Sequence, residues 1–160
     1  MKRIIKFKRR IERKTNYRKR LALIKSGKIR LVIRKSLSNI SVQLVNFNPR
    51  GDQIVASAVS TELKKFGWVK TGNTPAAYLT GLLAGKKAKE KNVKEAVLDL
   101  GIQTSTKGSR IYAALKGVLD AGINVPHSKD ILPSEDRING KHISEEVSKQ
   151  FDDIKKKIGA

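Results

Sequence analysis

The first 35 residues carry 16 Lys or Arg and one acid, Glu12, a net +15 out of +21 for the whole 160-residue chain. Such a segment cannot collapse on itself, because like charges repel at side-chain spacing and nothing inside the segment offsets them. It needs either a polyanion or open solvent around it, and a run of Lys and Arg with so few acids fits a polyanion. The competing reading is a solvated tail. Against it stand Ile4, Ile5, Phe7, Ile11, Tyr17, Leu21 and Leu23, interleaved with the charges; solvated tails seldom carry apolar residues at that density. Residues 36–160 hold 19 Lys or Arg and 13 acids, an ordinary mixed surface.

Composition removes several function classes. There is no Cys, so a disulfide scaffold, a thiolate metal site, a Cys nucleophile and an iron–sulfur cluster are all excluded. His127 and His142 are the only histidines, too few for a His-rich metal site, and neither sits in a Ser/Asp setting that suggests a triad. No cofactor is expected. No run approaches the ~20 apolar residues of a membrane span, and the basic N-terminus is not followed by an apolar stretch of signal-peptide length. A cytoplasmic home with no membrane partner is the expectation.

The hydropathy pattern divides the chain into three parts. Residues 1–26 read as a basic RNA-binding arm, flexible over 1–8 and helical from about Arg9 to the stop at Gly27. Residues 27–125 read as an α/β core. Residues 29–34 and 40–45 are strands joined by a turn at Ser36–Asn39; after a second turn at Asn48–Asp52, residues 54–59 form a third, giving an antiparallel meander. A short helix follows at 60–66. Thr74 is then expected to cap a helix running to about Lys91, with Pro75 at its first position. Ala76, Ala77, Gly81, Ala84, Gly85 and Ala88 give that helix a small face suited to close packing. Residues 95–100 read as a buried strand, and Ser109 caps a helix through Ala121. The sum is an α/β fold, a three-layer sandwich with a mixed sheet. Residues 126–160 form a polar C-terminal extension, with a weakly amphipathic helix from Ser144 to about Ile158.

Several motifs invite functional readings and lose them on inspection. Gly81-Leu82-Leu83-Ala84-Gly85-Lys86 has three residues between its glycines where a phosphate loop needs four, and no Ser or Thr follows the lysine; helix packing explains the glycines. Arg50-Gly51-Asp52 is a hairpin turn. Asp52, Glu62, Glu95, Asp99 and Asp120 are too dispersed for a two-metal nuclease, with only Asp99 suggestively placed at a strand end. Trp68 reads as an anchor packed under a loop. The stretch from Gln103 to Arg110 is stronger. It joins a strand to a helix start and supplies hydroxyls, Lys107, Ser109, Arg110 and free backbone N–H groups, an arrangement that binds phosphate. Tyr17 is placed to stack on an unpaired base or to pack on the core.

Longer stretches then become recognisable. Residues 9–20, from Arg9-Arg10 through Arg13-Lys14-Thr15-Asn16-Tyr17-Arg18 to Arg20, resemble the N-terminal signature of the universal large-subunit ribosomal protein eighteen family, archaeal branch. Residues 29–36, 72–85, 106–110, 113–117 and 125–128 match further family stretches in order, so the resemblance spans roughly residues 9–143. The family's eukaryotic member is ribosomal protein five of the large subunit, and this chain lacks that member's long C-terminal extension. The resemblance implies a non-enzymatic component of the large ribosomal subunit that binds 5S rRNA in the central protuberance. Its partners would be 5S rRNA, large-subunit rRNA and the neighbouring 5S-binding protein, universal number five. No small-molecule substrate is implied. The RNA contacts it implies lie in the arm (Arg9, Arg10, Lys14, Thr15, Tyr17, Arg18, Arg20), in the first strand and its turn (Arg30, Arg34, Lys35, Ser36), and in the loop at Lys107, Ser109 and Arg110; the charge of the arm adds Lys6, Lys8 and Arg13 to the expected contacts, although residues 1–8 and those beyond about Ser144 lie outside the family motif. Two alternatives from the residues alone are a metal-dependent nuclease using Asp99 and a charge-driven binder of chromatin or anionic membrane.

Overall fold

The computed structural model describes residues 6–159; the expectations for Ile4, Ile5 and the rest of residues 1–5 fall outside it. Four strands form one mixed sheet in the order β3-β2-β1-β4. The strands β1 (Arg30–Lys35), β2 (Ile40–Asn46) and β3 (Gln53–Val59) make the antiparallel meander expected from the alternating pattern. The edge strand β4 (Val97–Asp99) runs parallel to β1, Leu31 opposite Leu98. It is shorter than the expected strand at 95–100, and only Ala96 and Asp99 of that stretch are buried. Alternation decides the faces: Leu31, Ile33, Ile40, Val42 and Leu44 are fully buried on one side, while Arg30, Val32, Arg34, Gln43 and Val45 line a cleft on the other.

Two helices cover the apolar face. Helix α3 (Thr74–Glu90) and helix α4 (Arg110–Asp120) follow β3 and β4 respectively. Gly81 lies against Ala114 and Gly85 against Val118, so the two helices run side by side in the same direction. A Cβ on Gly81 would overlap the Ala114 carbonyl, and one on Gly117 would overlap that of Tyr78. The small residues in the sequence therefore serve backbone-to-backbone approach. The cap of α3 is Asn73, whose Oδ1 accepts from the Ala76 amide at 2.9 Å; Thr74 is the first helical residue. This corrects the expected Thr74 cap by one residue, and Asn is as good a capping side chain. Trp68 is buried as expected, its Nε1 donating to the Lys70 carbonyl at 2.7 Å.

The arm is not one helix. Helix α1 (Lys8–Ile11) stops at Glu12, Arg13 adopts a left-handed backbone (φ 52°), and helix α2 (Tyr17–Lys25) restarts behind Asn16. Asn16 Oδ1 accepts from the Lys19 amide at 3.1 Å, and Thr15 Oγ1 accepts from Arg9 Nε at 2.9 Å. Short polar side chains offer the backbone a local alternative to the helix, and two in succession break it here. The C-terminal extension continues through α5 (Glu135–Asn139) to α6 (Glu145–Ile158), which packs on the outside of α3. Helix α6 is strongly amphipathic, contrary to expectation. Val147, Phe151, Ile154 and Ile158 form one stripe at helical spacing, and the Phe151 ring lies 5.4 Å from that of Tyr78. The architecture is thus an α/β sandwich: sheet, α3/α4 layer and outer helices on one side, arm on the other.

The β3 edge is closed by side chains. The Val59 amide donates to Glu62 Oε1 (3.0 Å), Lys87 Nζ donates to the Ser57 carbonyl (3.1 Å) and to Glu62 Oε2 (2.7 Å), and Lys91 Nζ donates to the Val55 carbonyl (2.5 Å). Burial pushes the Glu62 carboxyl up, but the Lys87 and Val59 hydrogen bonds and the nearby Lys charges hold it below its usual value. Outward-facing groups that would template another strand are thereby occupied.

Two expected outcomes follow from this packing. Gly81→Ala should lower stability by ~1–3 kcal/mol or more in urea titration, because neither backbone can retreat; a change within ~0.5 kcal/mol would contradict the packing. The double variant K87M/K91M should self-associate in light scattering at concentrations where the parent chain stays monomeric.

Candidate nucleic-acid interface

The open face of the sheet is built around a buried arginine. Arg30 is 3% exposed. Its Nη2 donates to Asp52 Oδ2 at 2.6 Å and its Nη1 to Asp99 Oδ2 at 3.2 Å. Asp99 is shared: its Oδ1 accepts from Arg34 Nη2 (3.1 Å) and from the Gly101 amide (2.8 Å), and its carbonyl accepts from Arg34 Nη1 (2.6 Å). Gly101 has φ 62°, and a Cβ there would press on the Arg34 guanidinium. Asp52 is shared too, accepting from Arg20 Nη2 of α2 at 2.8 Å. Three guanidiniums and two carboxylates thus connect the arm, β1, the β2–β3 turn and the end of β4.

This network floors a cleft of about 290 Å³ between arm and sheet. Arg9, Lys14, Lys19, Arg20, Arg30 and Arg34 line it against only two acids, Asp52 and Asp99, with Val32, Val45 and Ile54 as its apolar part. Beside it, Arg10, Arg13, Thr15, Asn16, Tyr17, Arg18 and Ile102 line an open groove of about 710 Å³. The Tyr17 ring is 5.3 Å from that of Phe7, so it braces α1 against α2 and remains partly exposed. Local excess of positive charge with an exposed ring fits a nucleic-acid backbone and an unpaired base.

The sequence-selected residues fall into distinct places. Lys6, Lys8, Arg9, Arg10, Arg13, Lys14 and Arg18 are exposed on the arm, and Thr15 is the acceptor that closes its turn. Arg30 is committed to its carboxylates and serves as scaffold. Arg34 is half-exposed at the rim. Lys35 is exposed, its backbone clamped by the Gln103 side chain. Ser36 closes the β1–β2 turn, its hydroxyl donating to the Asn39 carbonyl and accepting from the Asn39 amide, both at 3.0 Å. Arg110 Nη1 donates to the Gly72 carbonyl at 2.6 Å and so ties the start of α4 to the loop before α3. Lys107 is exposed; the Ser109 hydroxyl is buried without a partner among the described residues. Residues 101–103 join the arm to the β1–β2 turn, with Ile102 in the arm groove and Gln103 at Lys35. Lys19 and Gln43 in the cleft were not singled out from sequence. Lys19 stands inside the selected basic run, whereas nothing in the chain distinguishes Gln43.

The nuclease alternative has no support in this geometry. Asp99 spends both carboxylate oxygens on arginines and an amide, and no group of three or more His, Asp or Glu suited to a metal occurs among the described residues. His127 and His142 are exposed. No helix among the described residues is long and apolar enough to cross a membrane.

The chain is similar to known proteins over most of its length. The family model described as ribosomal large subunit proteins 60S L5 and 50S L18 matches residues 2–96 and 86–128. The chain is 60% identical over 141 residues to large ribosomal subunit protein uL18 of Korarchaeum cryptofilum (strain OPF8), covering 88% of this chain and 72% of that one. It is 51% identical over 150 residues to the protein of the same name from Natronomonas pharaonis, covering 93% and 81%.

Asp99→Asn should cost on the order of 3–5 kcal/mol in urea titration, since it removes one of the two counter-charges of a buried guanidinium together with the charge that holds Arg34. Lys107→Ala, on an exposed residue, should stay within ~0.5 kcal/mol. Equal effects of the two would contradict the scaffold role given to Arg30 and Asp99.

Proposed function

The chain belongs to the family of large-subunit ribosomal proteins 60S L5 and 50S L18, archaeal in type, a structural constituent of the cytoplasmic ribosome and not an enzyme, and on that premise we propose that it binds 5S rRNA and helps anchor it in the central protuberance. The observation that carries this reading is the cationic surface made jointly by the arm and the open sheet face, braced by Arg30. Large-subunit rRNA and the other 5S-binding protein, universal number five, complete its partners.

The three parts of the chain divide the work. The arm, residues 1–26, supplies phosphate contacts and with them most of the affinity. The core, residues 27–125, holds those cations on a rigid sheet, so that shape and a few unpaired bases are read; A-form grooves do not admit deep side-chain readout. The extension, residues 126–160, packs on the helical side and carries seven Lys or Arg against seven acids, a neutral surface turned away from the RNA. Lys107, exposed, extends the phosphate surface from the turn that Arg110 and Ser36 support.

The test is binding to 5S rRNA against a scrambled RNA of equal length at two salt concentrations. A preference of at least ~tenfold, about 1.4 kcal/mol, that survives the higher salt is expected. With ~6–10 phosphate contacts, affinity should fall on the order of 10³–10⁵ between 50 and 200 mM salt. Deleting residues 1–20 removes 11 Lys or Arg and one acid and should take much of the salt slope while the core stays folded. An unchanged slope would overturn the arm's role. Equal binding to both RNAs and to anionic vesicles would favour a charge-driven binder.

A further inference from the structure

We propose that Asp52, an acid at the edge of a cationic surface, is a positioning residue for RNA recognition: it holds the arm in the orientation in which its cations meet RNA. The inference rests on the reading of the arm as an RNA-binding element. Its basis is how little else attaches the arm. No residue of α2 is buried, and Leu23 and Ile24 are only half-buried. Among the described residues, apart from the local contact in which the Lys28 amide donates to Ser26 Oγ at 3.4 Å, the contact from Arg20 Nη2 to Asp52 Oδ2 at 2.8 Å is the only hydrogen bond or ion pair between residues 6–27 and the rest of the chain. Without that carboxylate, Arg20 would lie beside the cations of β1, and mutual repulsion would turn α2 away from the sheet.

Asp52 is suited to the task by its place. It sits in the β2–β3 turn behind Asn48, whose Oδ1 accepts from the Arg50 amide at 3.1 Å, and where the Gly51 amide donates to the Asn48 carbonyl at 2.9 Å. The same Oδ2 also accepts from buried Arg30 at 2.6 Å, so the carboxylate is oriented by the core before the arm arrives. The arm's cations are thereby pre-arranged over the cleft, which reduces the ordering that RNA binding must impose.

The proposal predicts a sign opposite to that of simple charge. Asp52→Asn raises the net charge by one, so a charge-only surface binds every RNA as well or better. If Asp52 positions the arm, the variant binds 5S rRNA roughly three- to tenfold more weakly, while binding to scrambled RNA holds or tightens. Asp52→Glu, which keeps the carboxylate, should restore most of the discrimination. Hydrogen exchange on the free protein should show α2 amides losing more protection in Asp52→Asn than the Leu31 and Val42 amides, which register only the cost of the weakened Arg30 pair. The deletion of residues 1–20 is measured alongside. If that deletion leaves 5S affinity intact, the arm reading fails. If it weakens binding but Asp52→Asn binds 5S rRNA as tightly as the parent, the positioning role alone is overturned. Should Asp52→Asn not fold, Arg20→Gln leaves the Arg30–Asp52 pair in place, and unchanged α2 exchange in that variant overturns the proposal.

Discussion

The open face of the sheet depends on one buried guanidinium. Arg30 lies in the strand next to the parallel edge, almost out of contact with water, and is held from two sides by Asp52 and Asp99. Removing a charge from water is expensive, and the expense is tolerable only where partners are close and well directed. That requirement ties down three otherwise independent pieces of chain. Asp99 must arrive from β4, Asp52 must arrive from the β2–β3 turn, and Arg30 must stand between them. Arg34 and Arg20 then use the remaining acceptor capacity of the same two carboxylates. A short edge strand of three residues has little pairing of its own, and its side-chain clamp to β1 compensates for that.

The two faces of the sheet obey different physics. On one, Leu31, Ile33, Val42 and Leu44 meet a helix pair that approaches to backbone contact through Gly81 and Gly117. This side is held by burial of apolar surface, which is non-directional, and by close packing. On the other, the contacts are directional and sparse, and the surface retains an excess of positive charge. A rigid apolar half supporting a lightly tethered cationic half suits a protein whose partner is a stiff, heavily charged polymer. The support fixes position, and the cations supply attraction. The β3 edge, closed by Glu62, Lys87 and Lys91, leaves that edge little to offer a second copy of the chain.

Much of the fold was legible along the chain, and the exceptions share a cause. The meander could be read because alternation at Ile40–Val45 has a period that no helix satisfies. The helix at Thr74–Glu90 could be read from its start signals, although the cap belonged to Asn73. The break in the arm is hard to read because an unbroken basic run free of Pro looks helical; the Asn16 cap is local, but the Thr15 hydrogen bond exists only once Arg9 is folded back. Helix α6 has an apolar stripe that is regular in sequence, but the many charges of the terminal segment mask its four well-spaced residues. Among the candidate contact residues, exposure and commitment were invisible: Arg30 and Lys35 look alike in sequence and differ entirely in surroundings.

By itself, the sequence determined the charge asymmetry, the absence of thiol chemistry, the alternation of strands and helices, and the family. These are properties of composition, local periodicity and motif order, and each is present in the chain before it folds. Only the tertiary structure decided which cations are free and which are spent. Asp52 and Asp99 are dispersed acids in the sequence and the supports of the cationic face in the fold, because ion pairing depends on distance through space, and residues 22 and 69 positions from Arg30 become its neighbours only when the sheet closes.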